Sequence, residues 1–337
     1  MLRPGMMLPV RAGAPDGPTC KQARGSKWRR TSRGFYVPSS VAEDDVQQRI
    51  AEASVLVPTG CAITGWAALA WVGSRWFTGT GARGEKLPIT IVVSSHDIRR
   101  QSGIEVSGEG FDPRLVRWTD GVPVSDVRYA VSFLMRYARS DRLAAIELEK
   151  AAYDDLVSVE EMSDFFGRQN GWTGVPRGRA ATGFASENVW SPPEGWMLDV
   201  WERVAGYRRP LANAPVFDLS GRHLGTPDLI DPESGVTGEY NGDVHLERSQ
   251  NHLDLRREGI FRSVGLEPVT MVAPDIADPA YFIQRLDTAY QVARSKPRSA
   301  RGWTLEQPSW WIDTSTVARR RALTPAQRLR LLRYRSA

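Results

Sequence analysis

The reading of the chain turns on residues 224–245, Leu224-Gly-Thr-Pro-Asp228-Leu-Ile-Asp-Pro-Glu-Ser-Gly235-Val-Thr-Gly-Glu239-Tyr-Asn241-Gly-Asp-Val-His245. Two short strand-like runs flank Asp231-Pro232-Glu233-Ser234-Gly235, a segment of turn-forming residues. The first run carries Asp228 and the second, Val236 to Asn241, carries Glu239. A hairpin sets these two acids side by side on neighbouring strands. Two converging carboxylates suit a hard divalent cation such as Mg²⁺. Asp228 also has a plainer reading, as an aspartate capping a turn. Glu239 resists that reading, because an acid inside an apolar strand is costly to bury unpaired.

Pro227-Asp228-Leu229, then Glu239-Tyr240-Asn241-Gly242-Asp243-Val244-His245, then Gln250, Asp254 and Arg257 with Arg256 beside it, form a longer pattern. It resembles the PD-(D/E)xK nuclease superfamily, and within it proteins related to the very-short-patch-repair endonucleases. The resemblance implies a metal site on Asp228 and Glu239, with Mg²⁺ or Mn²⁺ as cofactor and DNA as substrate. Glu194 matches a helical acid that often completes such sites. As fourth residue of Ser191-Pro192-Pro193-Glu194 it is equally the return half of a capping box. Asn241 stands where the superfamily has Lys and this subgroup usually has Asp. Asparagine can hydrogen-bond a water but cannot take its proton or supply charge. His245 is the substitute candidate, since a histidine can act as acid or base near neutral pH. The catalytic set expected is therefore Asp228, Glu239, Asn241 and His245.

Composition bounds the alternatives. In 337 residues, 41% are hydrophobic and 25% charged, ordinary for a globular protein with room for two cores. No apolar run is long enough to span a membrane, and the start lacks the apolar core of a signal peptide. Two cysteines exclude a disulfide scaffold. The expected compartment is the cytoplasm. Charge is uneven: residues 1–36 carry a net +7 and residues 294–337 a net +9, which leaves −11 for the middle against a total of +5. Basic ends suit phosphate contact, and Arg29, Arg30, Arg33, Arg256, Arg319, Arg320 and Arg321 are the expected nucleic-acid-binding residues. Solvated tails, or a last helix docked on the body, are the bland alternatives.

Taken in order, residues 1–25 are rich in Pro, Gly and Arg and predict disorder. Lys27 to Pro38 predicts a hairpin with basic residues at its tip. It resembles the wing of abortive-infection-type (AbiEi-like) antitoxins, and the Gly121-Val-Pro-Val-Ser125 segment before a helix resembles the same family. Gly167 to Ser186, rich in Gly, Arg and Ala, predicts a linker. The organisation expected is 1–40 as disordered start plus winged-helix-like hairpin remnant, 41–186 as an AbiEi-like α+β domain, 187–297 as a PD-(D/E)xK nuclease-like domain, and 298–337 as a basic tail with a short helix. From 190 to 295 the predicted order α-β-β-β-α-β-α matches an α/β restriction-endonuclease-like core, with Val216 to Leu219 as the first strand. Two functions are carried forward. One is metal-dependent hydrolysis of DNA phosphodiesters; the other is a non-enzymatic DNA-binding regulator or antitoxin-like protein that keeps the nuclease fold. A protein partner suits either.

Overall fold

The computed structural model describes residues 2–81, 83–94, 98–99, 101–242 and 257–336. The chain is mixed α+β and forms two compact units, Met1–Arg139 with Glu161–Gly178, and Ser140–Glu160 with Arg179–Ala337.

The first unit holds two sheets. Strands β1 (Val10–Arg11), β2 (Trp28–Ser32) and β3 (Phe35–Pro38) make one, ordered β1-β3-β2 and antiparallel throughout. The other has the order β6-β5-β4-β8-β7, built from β4 (Ala62–Thr64), β5 (Ile89–Val92), β6 (Ile104–Ser107), β7 (Val116–Thr119) and β8 (Val122–Ser125). All four residues of β5 (Ile-Thr-Ile-Val) and of β8 (Val-Pro-Val-Ser) are buried, so both strands are covered on both faces. Helix α1 (Val46–Ser54) is capped by the Asp45 side chain, and every residue of helix α2 (Gly65–Trp71) is buried. Helix α3 (Val127–Tyr137) opens on Asp126, whose carboxylate accepts from the Arg128 amide. The expected disorder before residue 25 is not found. Gln48 clamps the Met7 backbone with two hydrogen bonds, and the Arg3 guanidinium lies 4.3 Å over Trp71. Composition predicted a loose end because it cannot register these distant partners.

The second unit begins earlier than expected. Helix α4 (Asp141–Tyr153), expected in the N-terminal domain, packs on helix α7 (Pro192–Asp199). Arg142 of α4 donates to the carbonyls of Gly195 and Trp196, and Glu149 lies against the Cα of Gly195, where a Cβ would meet its Oε2 at 2.5 Å. Between them run α5 (Val159–Gly167) and α6 (Val175–Thr182), the second of which lies within the predicted linker. The domain boundary at 167–186 is thereby corrected: residues 161–178 return to the first unit.

The main sheet of this unit runs β14-β13-β12-β9. Its strands are β9 (Leu211–Ala212), β12 (Leu229–Ile230), β13 (Val236–Asn241) and β14 (Glu267–Val272); β13 and β14 are parallel and the other pairs antiparallel. The chain visits α7, β9, β12, β13, a helical segment at 257–263, β14 and then α8 (Ala280–Ser295). One strand was misidentified in the sequence. Val216–Asp218 (β10) belongs to a separate sheet with β11 (His223–Gly225) and β15 (Trp303–Thr304), and the two-residue β9 takes its place. Two residues are too few to show a period. Met197, Trp201, Leu229, Phe282, Leu286 and Tyr290 fill one face of the main sheet, while Ile230, Phe261, Leu266 and Trp303 fill the other.

Candidate active site

Backbone chemistry places the two strand acids. Gly235 adopts φ +76°, and the Gly235 amide and the Asp231 amide bond the carbonyls of Asp231 and Val236 respectively, which is a bulged turn. From there the register pairs Ile230 with Thr237 and Leu229 with Gly238. Carried one residue further, it sets Asp228 beside Glu239. In the alternation counted from the Asp231–Val236 bond, this is a non-hydrogen-bonded pair, the kind whose side chains lie closest. Pro227 ends the ladder because it has no N–H. The Asp228 carboxylate then takes over the next donor, accepting from the Tyr240 amide at 2.7 Å.

Strand alternation fixes which way the chemistry faces. Gly238 turns toward α7, where a Cβ would lie 2.9 Å from the Trp201 ring and 3.1 Å from Met197 Sδ. Thr237, Glu239 and Asn241 therefore share the opposite face, the one that also carries Ile230 and Asp228. The 257–263 helix covers that face through Phe261. Its first described residue, Arg257, donates from Nη2 to Glu239 at 2.8 Å. Asp228, Glu239, Asn241 and Arg257 thus gather at one end of the sheet. The guanidinium that meets Glu239 belongs to Arg257, one residue from the expected Arg256, which lies outside the described residues together with His245, Gln250 and Asp254.

Glu194 reaches the same strand end from α7. It is buried, and its two oxygens accept from the Trp190 amide at 2.8 Å, the Ser191 hydroxyl at 2.8 Å and Asn213 Nδ2 at 2.7 Å. Burial, and then the nearby Asp228 charge, push its carboxyl up to about 8. Ser191 accepts from the Glu194 amide and so caps α7, but the Glu194 carboxylate takes the Trp190 amide and the Ser191 hydroxyl rather than the Ser191 amide that a capping box requires. Asn213 was not anticipated. It sits at φ +47°, its amide bonds the Asp228 carbonyl, and its side chain ties Asn188 to Glu194. Only its residue type hinted at this, since Asn tolerates the left-handed region better than most.

Among the described residues, no group of three or more His, Cys, Asp and Glu side chains is arranged to hold a metal ion. Asp228 takes the Tyr240 amide, Glu239 takes Arg257, and Glu194 is engaged by three internal donors. Of the expected nucleic-acid contacts, Arg30 and Arg33 are exposed on the β2–β3 hairpin. Arg29 instead forms a two-pronged pair with Glu52. Arg319 pairs with Asp313, and Arg321 donates to the carbonyls of Asp155 and Leu156. Arg320 is fully buried on Asp155 at 2.6 Å, which removes it from any phosphate-contacting surface. A guanidinium leaves water only for such a partner.

No family model matches the chain, and the searches of curated proteins and of solved structures give no match either.

Proposed function

We propose that the Asp228–Glu239 end of the main sheet hydrolyses phosphodiester bonds of DNA with the help of Mg²⁺ or Mn²⁺, on a restriction-endonuclease-like core. The supporting observation is the placement of Asp228, Glu239 and Asn241 on one face, with Arg257 on Glu239. Asp228 and Glu239 would hold the cation, which when bound supplies Lewis acidity and a more acidic water. Asn241 offers a carbonyl and an amide to orient that water. Arg257 brings the positive charge that a lysine at position 241 would have brought, and a planar guanidinium suits a phosphate. Held in place by Glu239, it needs little reorganisation to meet developing charge.

The second reading is a DNA-binding regulator, with AbiEi-like features in its first unit, that keeps the core without chemistry. It draws on the internal partners already taken by Asp228, Glu239 and Glu194. Plasmid nicking in Mg²⁺ and in Mn²⁺, beside filter binding, separates the two. Metal-dependent nicking by the wild type, abolished by Asp228→Asn and by Glu239→Gln with binding kept, is the expected outcome. DNA binding without nicking in either metal would leave the regulator.

A further inference from the structure

At the other end of the same strands lies a half-open cleft of about 930 Å³, lined among others by Asp231, Ser234, Tyr290, Arg294, Lys296 and Arg301. Asp231 and Asp228 bracket β12, so the cleft stands about 10 Å along the strand from the carboxylate pair. We propose that this cleft is a second binding site, for a small anion carrying two linked phosphate groups.

The charge balance of the lining carries the assignment. Its acids are engaged. Asp231 accepts from the Glu233 amide, the Ser234 hydroxyl and the Tyr290 hydroxyl, and Glu233 pairs with Arg208. Lys296 is engaged too, donating to Glu267 at 2.8 Å and to the carbonyl of Leu266 at 3.0 Å. Two guanidiniums remain. Arg294 is exposed and makes no hydrogen bond or ion pair among the described residues. Arg301 stacks on the Trp303 ring at 3.8 Å and gives one N–H to the Pro232 carbonyl, leaving Nε and Nη1 without a protein partner among the described residues. Stacking orients the guanidinium plane in advance, so less freedom is lost when it grips a phosphate. A concave space of this size is of the small-ligand class, whereas a duplex is convex and would present one phosphate at a time.

Inorganic pyrophosphate titrated into the full chain by calorimetry is the test. Saturable single-site binding is expected, weakened about tenfold by Arg294→Ala and similarly by Arg301→Ala, and lost in the double variant. Arg301→Lys should fall between, and Asp228→Asn should leave binding intact, which keeps this site distinct from the proposed hydrolytic one. Arg294 is exposed, so its replacement does not threaten folding. No saturable binding by the wild type at millimolar pyrophosphate would overturn the proposal. Unchanged binding by the double variant would do so too. So would a DNA duplex that needs both arginines while pyrophosphate fails to bind.

Discussion

Arg257 is the residue on which the proposed chemistry is most exposed to test. Its side chain is 39% exposed and that of Glu239 18%, so as a plain ion pair it stabilises the fold by no more than about 1 kcal/mol. Arg257→Ala should therefore leave the thermal midpoint nearly unchanged. If the guanidinium meets the scissile phosphate, the same change should slow nicking by about 10²–10³-fold, with Arg257→Lys recovering part. Equal nicking by Arg257→Ala and wild type would remove the residue from the mechanism. Asn241→Lys, made in the Arg257→Ala background, should restore cleavage, because it returns a positive charge to the face that carries Glu239. A rescued double variant would also show that the face shared by residues 239 and 241 is the reacting one.

At the scale of elements, the C-terminal helices α9 (Val317–Arg321) and α10 (Pro325–Leu331) change their meaning once the fold is known. Their arginines looked like a phosphate-binding arm. Instead Arg320, Arg328 and Arg335 converge on the single carboxylate of Asp155, and Arg321 takes its carbonyl. Asp155 is buried at φ +59° just after α4. Burial alone would raise its carboxyl, but the hydrogen bond from Arg320 and the surrounding guanidinium charges hold it below the usual range. Asp155→Asn keeps a residue tolerant of that backbone while stranding buried cations. It should lower stability by about 3–5 kcal/mol in chemical denaturation, and high salt should screen little of that difference. A variant as stable as wild type would mean the tail is not anchored there. Removing residues 318–337 should likewise destabilise the second unit rather than merely strip charge from it.

For the molecule as a whole, buried acids set an expected pH dependence, Glu149 adding to the Glu194 carboxyl already described. Glu149 of α4 accepts from the Ser186 amide at 3.0 Å, yet burial pushes its carboxyl up to about 7. The folded state then holds a proton more tightly than the unfolded chain, where a glutamate titrates near 4.5. Its contribution is complete below that lower value and is lost as pH rises through about 7, on the order of 3 kcal/mol in all. Stability measured from pH 5 to 8 should fall, and Glu149→Gln should reduce that slope while the part due to Glu194 remains. A slope unaltered by the substitution would assign the effect elsewhere. By itself the sequence determined the hairpin around the 231–235 turn, the strand neighbours Asp228 and Glu239, and most helices of both units. Those features rest on contacts a few residues apart, on turn chemistry and on period, all local. Only the tertiary structure decided which unit owns α4, that β9 rather than β10 joins the main sheet, that Arg257 meets Glu239, and that the basic tail folds back on Asp155. Each of these joins residues from about 18 to 180 positions apart. Charge and composition say how much such a side chain gains from a partner, but not which partner the packed chain will bring to it.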